Sequence, residues 1–319
     1  MVDLDLDLGG RMRARIVCLC LAAIGALLPS GGRAATAAVT VASAVSGESI
    51  PAALREPDGP GPFPAVVIMH DCSGLGPRSS GAPARWADEL VGHGFAVLIP
   101  DSFTPRGLPL GVCTEPVERA RVADGYVRAG DAYGALAYLR SRPEIDGRHI
   151  GIMGGSHGGW TVLAAMYQPV LATNPLRAAK ENGFAAAIAL YPSCAAQYGS
   201  WQGIRANGAR VGPPVAYSGV YKPIAPVLIL IGEKDDWTPA APCEHLAEAA
   251  QQQGYPVSIK VYPGAFHSFD SFAPMRFDPL RSNASSLSGH GATTGGDSAA
   301  WADARQQVSA FFGHYLKGK

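Results

Sequence analysis

The stretch Gly154-Gly155-Ser156-His157-Gly158-Gly159 decides the reading of this chain. Residues 149–153 before it form a short apolar run suited to a strand buried on both faces, and residues 160–167 after it read as a helix. Gly-x-Ser-x-Gly at a strand-to-helix junction puts a serine on a turn so sharp that little besides glycine can flank it. The hydroxyl then projects at the helix N-terminus, where aligned peptide dipoles favour a developing negative charge. With 39 glycines in 319 residues the motif alone carries little weight, and a glycine-rich turn capping a helix through Ser156 is the bland alternative. Its surroundings have to decide.

Working outward, residues 65–69, 95–99, 185–190, 227–231 and 257–261 are further apolar runs, with two shorter strands expected at 39–45 and 50–54. Helical patterns lie between them at 85–91 and 117–140, and a last amphipathic one covers 299–316. The helix between the final two strands is marked by Thr238 as N-cap, Pro239 at the first helical position and Gly254 past the end. Cys243, Leu246, Ala247 and Ala250 form its apolar stripe. Strands alternating with helices in this way predict an α/β chain, its central sheet mostly parallel with helices on both faces. Segments 195–225 and 270–298, rich in Gly, Ser and Pro, are expected to be irregular. With neither an internal repeat nor a long linker, residues 38–319 are read as one domain.

A serine hydroxyl is a poor nucleophile until a base removes its proton, and the base needs a carboxylate to orient it. Behind an elbow of this kind the partners follow in the order Ser, Asp or Glu, His, each on a loop after a strand. Strand 227–231 is followed by Gly232-Glu-Lys-Asp235-Asp236-Trp237-Thr-Pro, and strand 257–261 by Tyr262-Pro-Gly-Ala-Phe-His267. No other histidine downstream of Ser156 follows a strand: His245 lies in a helix, His290 in the irregular stretch and His314 in the terminal helix. His267 is therefore the expected base. Asp235 is nearer its strand end than Asp236, which would more naturally begin the turn into the next helix, so Asp235 is the preferred orienting acid. The oxyanion of a tetrahedral intermediate needs two N–H donors. His157, directly after the nucleophile, supplies one; Cys72, in the loop His70-Asp71-Cys72-Ser73-Gly74 after strand 65–69, is expected to supply the other. Packing or capping is the preferred role for the side chains of His70 and His157.

At this point the mature chain resembles the dienelactone hydrolase family of α/β-hydrolases. The matching pieces are the loop from His70 to Leu75, Pro100-Asp101-Ser102-Phe103, the elbow at Ser156, Gly232-x-x-Asp235-x-x-x-Pro239 and Tyr262-Pro263-Gly264-x-x-His267-x-Phe269. The resemblance implies the α/β-hydrolase fold, hydrolysis of a carboxylic ester or lactone through an acyl-enzyme on Ser156, and no metal or cofactor. It also selects Asp235. There are departures. The family's namesakes carry a cysteine where Ser156 stands, and their acidic oxyanion-loop residue corresponds to Asp71. They hold a substrate carboxylate with arginines, one of which falls a single position out of register with Arg106. Dienelactone itself is therefore not the expected substrate. Candidate substrate contacts are Asp71, Arg106, Trp160 and Trp237. Trp86, Phe103 and Tyr191 are further aromatic candidates, with core packing as the alternative for the aromatic residues. Set on this fold, the cysteines are expected to pair as Cys72–Cys113 and Cys194–Cys243, the first bridge bracing the oxyanion loop.

The composition narrows the partners. The 26 basic and 26 acidic residues cancel and no Lys/Arg run occurs, which argues against a nucleic-acid surface. At the N-terminus, Arg11, Arg13 and Arg15 precede an apolar run over 16–28, then Pro29, Ser30 and small residues. This is the layout of a secretory signal peptide over residues 1–34, with Met12 as an alternative start, and the run is too short for a stable membrane anchor. Export to the periplasm or medium would leave Cys72, Cys113, Cys194 and Cys243 where disulfides form. Two rival readings stand beside the small-molecule esterase: a secreted peptidase or polyester hydrolase of the same fold, and a catalytically silent binding protein on this scaffold.

Overall fold

The apolar runs of the sequence become the strands of one sheet. The structure, a computed structural model, describes residues 36–169 and 174–318; the candidate export signal lies outside the described residues. In chain order the elements are β1 (Thr36–Ala42), β2 (Ser49–Arg55), β3 (Phe63–Met69), α1 (Ala82–Gly92), β4 (Ala96–Pro100), α2 (Val117–Ala120), α3 (Gly125–Arg140), β5 (Ile145–Gly155), α4 (His157–Met166), α5 (Arg177–Glu181), β6 (Ala186–Leu190), β7 (Gln202–Ile204), β8 (Ala216–Ser218), β9 (Val227–Gly232), α6 (Ala240–Gln251), β10 (Val257–Tyr262), β11 (Arg276–Ser282), β12 (His290–Thr294) and α7 (Ser298–Lys317).

Eight strands form the central sheet in the order β1-β2-β4-β3-β5-β6-β9-β10. The pairings β1–β2 and β2–β4 are antiparallel, and the five from β4 to β10 are parallel. Strands β4, β6 and β9 are buried at every position, the burial that their unbroken apolar sequence requires. Helices α4 and α7 both pack against β5 and β6, from opposite sides of the sheet. On the α7 side, Trp86 of α1 meets Trp301 edge-on with ring centres 4.7 Å apart, and Phe95 meets Phe312 at 6.2 Å. On the other side α3 packs along α4. All five parallel pairings point their carboxyl ends the same way, so the loops after β3, β5, β9 and β10 leave one edge of the sheet.

Three local expectations are corrected. The helix expected over 117–140 is broken: α2 runs through a 3₁₀ turn at Arg121–Ala123 into Asp124, whose extended backbone stops it. The Asp124 carboxylate then accepts from the N–H groups of Tyr126 and Val127, both at 2.9 Å, and starts α3 afresh. Thr238 does not cap α6; Pro239 is the N-cap, and the threonine hydroxyl turns elsewhere, as described below. The segments expected to be irregular each hold a small antiparallel hairpin, β7–β8 and β11–β12.

Lys180 of α5 secures the C-terminal end of α4. Its ammonium donates to the carbonyls of Ala164 at 3.0 Å and Tyr167 at 2.9 Å, and lies 3.7 Å from the centre of the Tyr167 ring. Burial lowers its pKa to about 7. Between that value and the usual lysine value of about 10.4, the unfolded chain holds a proton that the folded chain lacks, so stability rises with pH across the interval and is unaffected below it. The parent protein should therefore gain stability relative to Lys180→Met as pH is raised from about 7 to about 10. Urea unfolding of both proteins across that range checks this, and a pH-independent difference contradicts it.

Candidate functional site

Ser156 takes φ 56° and ψ −116°, a strained backbone for a non-glycine residue, at the junction of β5 and α4. Two backbone hydrogen bonds hold the turn: Ser156 N–H donates to Leu190 O, and Trp160 N–H to Ser156 O, each at 2.9 Å. The turn also needs Gly158, since a Cβ there would lie 2.0 Å from the carbonyl oxygen of Met69 at the end of β3. The Ser156 turn and the end of β3 are thus in close backbone contact.

The loops after β9 and β10 are tied to each other in the same way. Glu233 N–H donates to Tyr262 O and Lys234 N–H to Ala265 O, both at 2.9 Å, and the Glu233 carboxylate accepts from Gly264 N–H at 2.8 Å. A Cβ at Gly232 would stand 2.4 Å from Ala265 O, so the approach needs a glycine. This pairing brings Asp235 and His267 together. His267 Nδ1 lies 2.8 Å from Asp235 Oδ2, and His267 Nε2 lies 2.8 Å from Ser156 Oγ. The imidazole is fully buried, between the rings of Tyr191 at 4.7 Å and Trp237 at 4.8 Å.

Asp236 faces away from this chain of contacts. Its carboxylate accepts from the N–H and hydroxyl of Thr293 at 2.8 and 2.7 Å, which pins the β11–β12 hairpin over the site. Asp235 Oδ1, by contrast, accepts the N–H groups of Trp237 and Thr238 at 3.0 and 2.8 Å, which fixes the orientation of the carboxylate.

Two residues that the sequence reading assigned otherwise, or passed over, complete the support of His267. The Thr238 hydroxyl lies 2.9 Å from Tyr191 O, 3.1 Å from Asp235 Oδ2 and 3.0 Å from His267 Nδ1. A Ser or Thr before proline reads as a helix cap, and nothing local marks the longer-range use. Asp270, three residues after His267, is fully buried and accepts from Trp86 Nε1 at 2.7 Å and the Tyr191 hydroxyl at 2.9 Å. Burial raises its pKa. It anchors the far end of the histidine loop to α1 and to the loop after β6.

On the loop after β3, Cys72 is bonded to Cys113, and the second bridge is Cys194–Cys243. Val112 N–H donates to Cys72 O at 2.7 Å, so the loop is held by backbone as well as by sulfur. Asp71 accepts from the N–H of Ser73 at 2.7 Å and from the hydroxyls of Ser73 and Ser80. His70 is a buried ring and His157 a half-buried one. His70 Nδ1 donates to Asp71 O at 2.9 Å and Nε2 accepts from Ser102 N–H at 3.2 Å, while His157 Nδ1 lies 2.7 Å from Arg128. Burial, with the charge of Arg128 second, holds both well below the usual histidine range.

Two cavities meet at Ser156. One, of about 390 Å³, is walled by Val112, Trp160, Ala196 and Trp237. The other, of about 520 Å³, is lined by Asp71, Arg78, His267, Arg276 and Arg281. Cys72, Cys113, Ser156 and Trp237 border both. Trp160, Trp237 and Asp71 thus reach cavity walls. Arg106 does not: it holds Asp131 bidentately at 2.7 and 2.9 Å and Glu48 at 2.7 Å, and its guanidinium is spent on tying α3 to the loop between β1 and β2. That is the correction to its expected substrate contact. Phe103, Trp86 and Tyr191 pack in the interior.

Residues 50–316 match the sequence pattern of the dienelactone hydrolase family. Among similar proteins is one of Bradyrhizobium sp. whose name, given as probable, is 2-oxo-3-(5-oxofuran-2-ylidene)propanoate lactonase; it is 25% identical over 236 residues, covering 74% of this chain and 85% of that one. A protein of Synechocystis sp. provisionally named carboxymethylenebutenolidase is 24% identical over 225 residues, covering 68% of this chain and 79% of its own. The crystal structure of a provisionally named dienelactone hydrolase from Klebsiella pneumoniae superposes with a TM-score of 0.57 at 20% identity, covering 88% of this chain and 100% of that one.

Because desolvation and the charge of Arg128 hold His70 and His157 well below the usual histidine range, their ring C–H resonances should show no titration midpoint near the ordinary histidine value of about 6.5. Histidine-labelled NMR of the folded protein checks this; a midpoint near 6.5 for either ring contradicts the arrangement.

Proposed function

Since this chain belongs to the dienelactone hydrolase family, we propose that it hydrolyses carboxylic esters or lactones through an acyl-enzyme on Ser156. One observation carries the reading: an unbroken chain of contacts from Ser156 Oγ to His267 to Asp235, each link 2.8 Å, at the junction of two cavities. In the proposed reaction the substrate carbonyl carbon lies against Ser156 Oγ, with acyl and alcohol portions in the two cavities. His267 Nε2 takes the serine proton as the oxygen attacks. Asp235 holds Nδ1–H, which fixes the tautomer and stabilises the imidazolium. The N–H groups of Cys72 and His157 receive the oxyanion. His267 then gives its proton to the departing alcohol, and a water repeats the sequence on the acyl-enzyme with His267 again as base.

The cavity walls support an ester or lactone of modest size. Trp160, Trp237 and Val112 give one side an apolar surface, and the Cys72–Cys113 bridge borders both spaces. The lactonase and butenolidase names of the relatives point to the same bond class.

Steady-state kinetics on p-nitrophenyl esters of increasing acyl length test the proposal. Ser156→Ala should remove activity, and Asp235→Asn should lower kcat by roughly 10⁴, the cost of fixing the wrong histidine tautomer. Asp236→Asn, whose carboxylate serves the hairpin, should stay within about tenfold of the parent. Parent activity that survives Ser156→Ala, or equal losses at the two aspartates, would contradict the assignment.

A further inference from the structure

Arg128 is a fully buried guanidinium in the first turn of α3 that the proposed chemistry does not call on. Burying a cation costs several kcal/mol unless polar partners compensate, so its partners show what it is for. They are neutral groups: Nη1 lies 2.7 Å from His157 Nδ1, and Nη2 donates to His70 O at 2.7 Å. The nearby carboxylate of Asp131 is engaged by Arg106 instead, and among the described residues the Arg128 Nε has no hydrogen-bond partner. The guanidinium also lies 4.8 Å from the centre of the Phe103 ring, which in turn packs edge-on against His70 at 4.5 Å and His157 at 5.5 Å. Burial lowers the pKa to about 9, which still leaves the group charged at neutral pH.

The two acceptors sit beside the two expected oxyanion donors. His157 follows the nucleophile and carries one donor on its own backbone. His70 stands two residues before Cys72, which carries the other. We propose that Arg128 is a positioning residue: its rigid fork ties the loop after β3 to the N-terminus of α4 and so sets the spacing of the two oxyanion N–H groups, at the cost of a buried charge. The proposal rests on the serine-hydrolase reading above. An oxyanion hole works only when both donors lie about 2.7–3.1 Å from the developing oxyanion, and a misplacement near 1 Å can cost about a hundredfold in rate. The fork is placed to prevent that slip. Its positive charge, 2.7 Å from both His157 Nδ1 and His70 O, acts in the same direction.

The test compares the parent with Arg128→Lys and Arg128→Met, after circular dichroism has shown each to be folded. Three quantities are read with p-nitrophenyl butyrate as substrate: kcat, KM, and Ki for an alkyl trifluoromethyl ketone, whose serine adduct carries the tetrahedral oxyanion. A fold that is merely loosened has no reason to separate the ketone from the ester. The proposal expects Arg128→Met to lose roughly 10- to 100-fold in kcat and in ketone affinity, with KM within about threefold of the parent. Arg128→Lys keeps the charge but not the fork, and should fall between the two. Arg128→Lys decides the matter by itself if Arg128→Met does not fold. Lysine-variant kcat and Ki within about twofold of the parent, or a loss carried by KM alone, would overturn the proposal. A parent without Ser156-dependent activity would instead overturn the underlying reading, and this inference with it.

Discussion

A neutral serine hydroxyl attacks an ester carbonyl usefully only when a base stands within hydrogen-bonding distance of it. In this chain that contact joins Ser156 to His267, 111 residues apart in sequence and 2.8 Å apart in space. Its existence depends on the sheet. Parallel strands deliver their loops to one edge, and β5, β9 and β10 lie within a run of four neighbours, so a serine, an aspartate and a histidine from three distant segments meet there. Local backbone contacts then narrow the remaining freedom: the Ser156 turn rests on the end of β3 through Gly158, and the Asp235 and His267 loops are hydrogen-bonded to each other.

Around that contact the molecule fastens loops that would otherwise be mobile. The bridge Cys72–Cys113 closes 41 residues and Cys194–Cys243 closes 49. Loop-closure entropy assigns each a stabilisation of roughly 4 kcal/mol in the chain-entropy picture. The first ties the loop after β3 to the segment before α2; the second ties the loop after β6 to the helix that follows Asp235. The β11–β12 hairpin closes the ring. Ser282 N–H donates to Cys113 O at 3.0 Å, Trp237 Nε1 donates to Ser282 O at 2.8 Å, and Asp236 grips Thr293. One aspartate of the adjacent pair thus serves the histidine, and its neighbour serves the wall of the cavity.

The legible parts of this chain were those written in short-range patterns. Continuous apolar runs mark the buried parallel strands, and chain order along those strands picks out Ser156, Asp235 and His267, which the fold brings within hydrogen-bonding distance of one another. What escaped reading depends on partners far away in sequence. Thr238 looked like a helix cap because only the folded loops bring Tyr191 O and His267 Nδ1 to its hydroxyl. Arg106 resembled a substrate-binding arginine by position, yet Asp131 and Glu48, from other elements, claim it. Arg128 sits in an ordinary helical pattern, and nothing in residues 125–140 announces a buried cation. The hairpins in 195–225 and 270–298 are three to seven residues per strand, set among Gly, Ser and Pro that locally favour turns. The break at Asp124 was legible in principle, since an aspartate before glycine is a fair N-cap, but the longer periodic pattern masked it.

The central claim is that Ser156 is the group that becomes acylated. Intact-protein mass spectrometry after exposure to a fluorophosphonate, followed by peptide mapping, measures it most directly. One equivalent of adduct is expected on the peptide that carries Ser156, formed slowly or not at all in His267→Ala. No adduct on the folded parent protein, or an adduct that persists in Ser156→Ala, would contradict it.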